Sequence, residues 1–404
     1  MNNVPLFGID RLLADTGLMG RLRQANVALV ANPASVTLGR EHSVDALVKE
    51  KCRLTRAFGP QHGMRGDKQD NMIESDNYMD PAHGIPVISL YGEHRRPTDE
   101  MLEGVDIVLF DLQDVGCRIY TYITTLKYFL EACTRLGKEL WILDRPNPAG
   151  RPVDGLRLEP GEESFVGCDE LPTRHGLTVG ELARWIQSKH NMSLPLRIVE
   201  MAHYEPDEPP GYGWPVFRRQ WINPSPNAST VNMARCFSGT VLLEGTELSE
   251  GRGTTTPLEL IGSPGFPAEE VLANLRSQMP HWAAGVYLRH CCFEPTFHKH
   301  KGELCDGLQI HTDYSDYRHD LFLPYRLIAG LLKSYRQVVP DAPLWRHHAY
   351  EYELDRIPID VINGGPFLRQ WVDDDAAGFD ALEARIEAEL AAWIEEREAS
   401  LIYR

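Results

Sequence analysis

The sequence predicts an α/β protein: a parallel sheet covered on both faces, followed by a smaller C-terminal α/β unit. Short β-branched runs alternate with helical stretches through the first half, the pattern of doubly covered parallel strands. Each run then breaks off into a cluster of reactive side chains, and such sheets hold ligands beyond the carboxyl ends of their strands. Length adds a division, because 404 residues exceed what one core usually sustains, and we place the domains at 1–235 and 236–404.

In chain order, the run at 27–31 leads into Asn32-Pro33, and that at 56–58 into Gly59-Pro-Gln-His-Gly63. Residues 86–90 lead into Tyr91-Gly-Glu93, and 105–110 into Asp111-Leu-Gln-Asp-Val-Gly-Cys-Arg118. Residues 140–143 end at Asp144-Arg-Pro-Asn-Pro148, and 196–199 at Glu200. Helices are expected between them: Ser43 caps 44–51, Thr98 caps 99–103, and Gly137 stops 120–136 in a left-handed conformation. Thr178 and Glu181 form a capping box that opens a helix reaching about His190. Residues 205–214 are dense in Pro and Gly and read as an irregular connection, either a lid or a surface loop. The second half begins near Gly239, with helices at 268–279, 320–336 and 379–400 and strands at 286–293 and 307–311. Phe379, Leu382, Ile386, Leu390 and Ile394 lie at helical spacing and mark a core-facing stripe.

Composition narrows the partners. Hydrophobic content of 43% and charged content of 25% describe an ordinary globular chain. Lys+Arg 41 against Asp+Glu 58 gives −17, which disfavours nucleic acid and anionic membrane surfaces. No basic leader with a long apolar stretch is visible, and no run is long enough to span a bilayer. The eight cysteines are scattered, with Cys291 and Cys292 adjacent, which suits reduced thiols in the cytoplasm.

The clusters at the strand ends form the candidate site. Asp111-Leu-Gln-Asp114, followed by Arg118, Tyr120 and Tyr122, is the densest polar group. Alternation sends Asp111 and Gln113 to one side of the strand tip and Asp114 to the other. Groups so crowded must bond each other or a ligand, and an Asp–Arg tie within the loop is the competing use. Asp144 and Asn147 sit in a loop stiffened by Pro146 and Pro148, suited to sugar hydroxyls or to a plain Asx turn. The turn from Gly59 to Gly66 presents Gln61, His62 and Arg65 without the Gly-Lys-Ser/Thr ending of a phosphate loop. Residues 243–257 offer Glu244, Glu247, Glu250 and Arg252 between glycines, where neighbouring charges can tune a general acid. A solvated acidic loop is the competing use there. His298, His300, His347 and His348 lack the spacing of a zinc site, and no nucleophile elbow is present, so neither metal nor cofactor is expected.

Several motifs occur in an order that resembles the exo-β-N-acetylmuramidases, a glycoside hydrolase family formerly defined as a domain of unknown function. They are Gly8-Ile-Asp10, Phe58-Gly-Pro-Gln-His-Gly-Met-Arg-Gly66, Pro86-Val-Ile-Ser-Leu-Tyr-Gly92 and the stretch from Asp111 to Tyr122. Leu143-Asp-Arg-Pro-Asn-Pro148, Arg174-His-Gly-Leu-Thr178, Pro224-Ser-Pro-Asn227, the loop from Glu244 to Thr254 and Phe297-His-Lys-His-Lys-Gly302 complete the set. The resemblance implies a Rossmann-like N-terminal domain, a smaller C-terminal α/β domain and an active site in the cleft between them. It implies release of terminal N-acetylmuramic acid from the non-reducing end of peptidoglycan fragments, and it adds His175 and Asn227 to the site. Family members carry glutamate in the Pro-x-His-Gly motif where this chain has Gln61, and asparagine where it has Glu247. An amide is no proton donor, so Glu74, Asp114 or Glu250 takes the role, the substrate differs, or catalysis is lost.

The expectation is therefore a cytoplasmic glycosidase for terminal β-1,4-linked N-acetylmuramic acid in cell-wall recycling, with a small amino sugar or muropeptide as its partner. Glu250 or Asp114 serves as general acid/base. Arg118, Arg65 or Arg252 binds the lactyl carboxylate, for which a guanidinium is well shaped. Gln61 holds the acetamido group or a hydroxyl, and His62 and Tyr120 orient these partners. A glycosidase of different amino-sugar specificity and a non-catalytic muropeptide-binding protein are the alternatives.

Overall fold

Alternation within the central strands decides the layers. The computed structural model describes residues 4–66 and 72–404. Its main sheet contains β1 (Val27–Ala31), β2 (Leu54–Gly59), β3 (Tyr78–Met79), β4 (Pro86–Ser89), β5 (Ile107–Asp111) and β6 (Glu139–Leu143). After a separate pair, β7 (Asp154–Arg157) and β8 (Pro172–Arg174), β9 (Leu196–Val199) completes it. The seven strands run in the order β3-β4-β2-β1-β5-β6-β9, all parallel except β3, which pairs antiparallel with β4. The expected strands form, with small shifts at their ends.

Val27, Leu29 and Ala31 of β1, Ile107 and Leu109 of β5, and Trp141 and Leu143 of β6 pack to one face. There they meet Ile9 and Leu12 of α1 (Gly8–Ala14), Met19 and Leu22 of α2 (Thr16–Gln24), and Val44 and Leu47 of α3 (Ser43–Lys49). Ala28, Val30, Val108, Phe110, Leu140 and Ile142 face the other way, onto α4 (Tyr122–Leu136) and α5 (Val179–Lys189). Period-two burial on both faces is what a covered parallel sheet requires. The Thr178–Glu181 capping box is present, and Gly137 ends α4 at φ 62°. Ser43 is not the cap of α3. His42 is, because the Ser43 hydroxyl is taken by the Asp111 carboxylate and the Ser35 carbonyl.

The second half holds α6 (Val231–Thr240), a 3-10 turn at Val241–Gly245, β10 (Leu260–Ser263), α7 (Ala268–Gln278), β11 (Tyr287–Phe293) and β12 (Cys305–His311). The helices α8 (Pro324–Val338), α9 (Pro358–Asn363), α10 (Phe367–Asp373) and α11 (Phe379–Glu398) follow. Its three strands form an antiparallel sheet ordered β10-β12-β11. Position 236, the expected boundary, lies inside α6. Met233, Cys236 and Phe237 belong to a cluster that includes Val30 and Phe110 from the first half and Leu327, Ile359 and Trp393 from the second. The two halves thus share one core, and that shared packing sets the cleft between them.

On α11 the stripe needs one correction. Phe379, Leu382, Ile386 and Leu390 are buried, but Ile394 is 46% exposed and Trp393 takes the inward place, donating to the His175 carbonyl over 2.9 Å. Within 205–214 the chain is anchored by Trp214, which packs edge-on against Phe7 and Trp221 at 5.8 and 4.9 Å. That segment also meets the second half, with Tyr212 stacked on His319 at 5.0 Å, and it is absent from the lining of the cleft described next.

Candidate active site

The cleft begins where β2 ends. A Cβ on Gly59 would lie 2.6 Å from the Met64 nitrogen, so only glycine lets the chain fold back there. His62 and Gly63 follow with φ of 70° and 78°, a tight turn that projects Gln61 inward. Tyr120 and Thr121 come from the approach to α4, and Ser225 and Asn227 from the loop before α6. Opposite them stand Glu244 from the 3-10 turn, Arg252 from the following loop, and Tyr350 and Glu351 from the irregular stretch before α9. These residues line one narrow hollow.

A chain of bonds crosses it. Gln61 Nε2 donates to Glu351 Oε1 over 2.9 Å, while Gln61 Oε1 accepts from the Thr121 hydroxyl over 2.8 Å. The Tyr91 hydroxyl donates to Glu351 Oε2 over 2.8 Å. Tyr350 donates to Glu244 Oε2 and Arg252 to Glu244 Oε1, each over 2.6 Å. Tyr120 bonds Ser225 Oγ over 2.9 Å. Burial pushes the Glu351 carboxyl up to about 7, against the pull of Tyr91 and Gln61, with Glu244 adding to the rise and Arg252 opposing it.

Behind this wall, Glu250 is fully buried in a network of charges. Its carboxylate lies 2.7 Å from Lys299 Nζ, 3.1 Å from Arg252 Nε and 3.5 Å from His298 Nδ1. Burial raises its pKa, but Lys299, Arg252 and His298 outweigh that and hold it at about 2. Lys299 also donates to the carbonyls of Leu243, Thr246 and Leu248, and so fixes the loop that carries Glu244. So held, Glu250 is kept as an anion and sits behind the hollow, outside its lining, where the sequence had offered it as general acid/base.

Asp114 is buried close by but does not line the hollow. Desolvation lifts it to about 7, and its Oδ2 accepts from the Gly116 nitrogen over 2.6 Å. Its observed task is to close the turn beneath Tyr120.

Of the expected site residues, Gln61, His62, Tyr120, Asn227, Glu244 and Arg252 converge on the hollow. The others do not. Asp111 ties loops together by pairing with Arg145 at 2.6 Å, both side chains buried. Asp144 holds the start of α5, accepting from Gly180 N and from the hydroxyls of Thr178 and Tyr403, each over 2.8 Å. Asn147 makes the Asx turn to Ala149 N at 2.9 Å, the plainer of its two readings. His175 is wholly buried, its pKa lowered to about 3 by desolvation and by Arg397. Arg118 is buried and donates to the Ile362 and Asn363 carbonyls, pinning α9 to the first half. Arg65 pairs with Asp80 at 2.8 Å and faces another hollow. Glu74 is exposed and accepts from Tyr352 over 3.3 Å at the rim. Of the three arginines expected to bind a lactyl carboxylate, Arg252 is the one that lines this hollow, where it also pairs with Glu244 and Glu250.

Gln113 lines a roomier hollow of about 400 Å³ together with Arg145, Trp214 and Phe217. That hollow has no carboxyl side chain among its described lining residues, whereas the narrower cleft has Glu244 and Glu351. Thr121, Ser225, Tyr350 and Glu351 escaped the sequence reading. A signal existed for the last two, an acid–aromatic run Tyr350-Glu-Tyr-Glu353, but it lies in a stretch without regular periodicity.

Comparisons with known proteins now bear on this geometry. A family model described as exo-beta-N-acetylmuramidase NamZ, N-terminal, matches residues 27–232, and its C-terminal counterpart matches 235–403. Peptidoglycan beta-N-acetylmuramidase NamZ of Bacillus subtilis (strain 168) is 40% identical over 338 residues, covering 83% of this chain and 78% of that protein. A crystal structure of a DUF1343 family protein from Bacteroides fragilis NCTC 9343 aligns with TM-score 0.84 and 26% identity, over 99% of both chains. A second DUF1343 structure from the same organism aligns with TM-score 0.74 and 22% identity, over 100% of this chain and 99% of that one, a likeness of fold alone.

Proposed function

The chain belongs to the exo-beta-N-acetylmuramidase NamZ family, and from that premise we propose that it is an exo-acting glycosidase releasing terminal β-1,4-linked N-acetylmuramic acid from peptidoglycan fragments. One observation supports the reading above the rest. Loops from both halves bring Gln61, Tyr120 and Asn227 against Glu244, Arg252 and Glu351 around a single hollow. Amide and hydroxyl groups there suit the hydroxyls and acetamido group of an amino sugar, since Gln61 keeps one donor and one lone pair beyond its bonds to Glu351 and Thr121. Glu244 and Arg252 form a fixed ion pair in the wall that stiffens the cleft.

The same reading places the protein in the cytoplasm, in recycling of cell-wall fragments. Eight free cysteines suit a reducing compartment.

The test is incubation with the disaccharide N-acetylmuramyl-β-1,4-N-acetylglucosamine, with products identified by mass spectrometry. Free N-acetylmuramic acid is the expected product. Turnover of another amino-sugar glycoside in its place defeats the sugar assignment. Calorimetric binding without any product defeats the catalytic part and leaves a muropeptide-binding protein. That second reading is favoured by the Gln61 amide, which carries no transferable proton.

A further inference from the structure

We propose that Glu351 is the proton donor that lets the leaving sugar depart, an assignment that rests on the glycosidase reading above. Among the described carboxyl groups, Glu244 and Glu351 line the cleft, and Glu250 and Asp114 are buried close behind it. Glu250 is held as an anion by Lys299, Arg252 and His298 and does not line the hollow. Asp114 does not line it either. Glu244 lines it, with one oxygen on the Arg252 guanidinium and the other on the Tyr350 hydroxyl. Glu351 also lines it, at 3% exposure, and bonds two neutral groups, the Tyr91 hydroxyl and the Gln61 amide.

The backbone points the same way. Glu351 and Tyr352 both adopt left-handed conformations, with φ of 44° and 73°, which side chains other than glycine rarely take. Tyr350 and Glu353 exchange backbone bonds of 3.0 and 2.9 Å that close the turn. Outside the cleft, Tyr352 is clamped by the Arg95 guanidinium 3.6 Å above its ring and by Glu74 at 3.3 Å. This arrangement is strained locally and braced from both sides, and it directs one carboxyl group into the hollow. Gln61 has a clear part in it: a neutral amide holds the acid in place without adding the like charge that a carboxylate would.

The chemistry balances with Glu351 as both donor and acceptor. Its proton passes to the glycosidic oxygen while the bond from C1 to that oxygen breaks, leaving the electron pair on oxygen. Glu244 has both oxygens engaged, so the acetamido oxygen of the same sugar closes on C1. Water then opens that ring, delivering hydroxide to C1 and its remaining proton to the Glu351 carboxylate. The groups facing Glu351 are Tyr91, Gln61, Glu244, Arg252, Tyr350 and Tyr352; burial dominates and leaves the acid near neutrality, a useful strength for this work.

Two leaving groups test the assignment. A nitrophenyl β-N-acetylmuramide releases a stable phenolate and needs little protonation, whereas the disaccharide releases an alcohol and needs it fully. Glu351→Gln is expected to lower kcat/KM on the disaccharide by roughly 10²- to 10⁴-fold. The same variant is expected to keep most of its kcat/KM on the nitrophenyl substrate while kcat there falls, because ring opening has lost its base, and the alkaline limb of the disaccharide profile is lost. Equal losses on both substrates, or none on either, overturn the proposal. If the wild type ignores both muramides but turns over another amino-sugar glycoside, the sugar assignment fails, and the same pair of leaving groups on that sugar tests Glu351. A wild type that cleaves no glycoside overturns both.

Discussion

Gln61 and Glu351, 290 residues apart in the chain, meet through a 2.9 Å bond from amide nitrogen to carboxyl oxygen across the cleft. Replacing the amide by an acid tests what that bond does. In Gln61→Glu two carboxyl groups face each other, and like charges so close cannot both ionise without cost. The shared proton is held more tightly, so the alkaline limb of kcat/KM moves above its wild-type position. A pH–rate profile across neutrality reads the shift, and an unmoved limb would show that Glu351 does not govern it.

Tyr91→Phe removes the donor on Glu351 Oε2. That donor stabilises the ionised form, so its loss raises the Glu351 pKa above about 7 and carries the alkaline limb upward. The variant should also lose about 1 kcal/mol of stability, one buried hydrogen bond's worth. Thermal unfolding measured beside the pH profile separates the two effects.

Glu250→Gln deletes the anion between Lys299 and Arg252, leaving two buried cations with less compensation. A broken buried ion pair costs about 3–5 kcal/mol, visible in denaturant unfolding. Lys299, Arg252 and His298 outweigh burial and hold Glu250 at about 2 against an unperturbed 4.5. Its contribution is present above the unfolded value and is lost as pH falls from 4.5 towards 2, so the wild type should lose stability there more steeply than the variant.

Asp114 shows the opposite sign. Burial raises its folded pKa from 3.8 to about 7, so its contribution is complete below 3.8 and is lost as pH rises through 7. Asp114→Asn keeps an oxygen for the Gly116 nitrogen and removes the titration. Melting temperature against pH should therefore fall less between acid and neutral conditions in the variant, while the alkaline limb of activity stays in place. A limb that moved with Asp114 would transfer the acid role to it.

Which side chains reached the cleft was partly legible in advance. Gln61 follows β2 and Tyr120 follows β5, and residues just past parallel strands are placed by the sheet itself. Asp111 ends β5 and Asp144 directly follows β6, yet both are buried ties. Their partners, Arg145 for one and Thr178, Gly180 and Tyr403 for the other, come from chain-distant segments that no local pattern announces. Glu351 was invisible for a related reason. It sits in a turn with no period of two or of 3.6 to reveal which way it faces.

Read alone, the residue order determined the strands, their two-faced burial, the capping of α5 and the family resemblance, because each depends on spacing within a short stretch. The packed chain decided which carboxyl groups line the cleft and in what surroundings. That choice depends on burial and on neighbours brought from far along the chain: Lys299 makes Glu250 an anion, and Tyr91 and Gln61 leave Glu351 a neutral pocket.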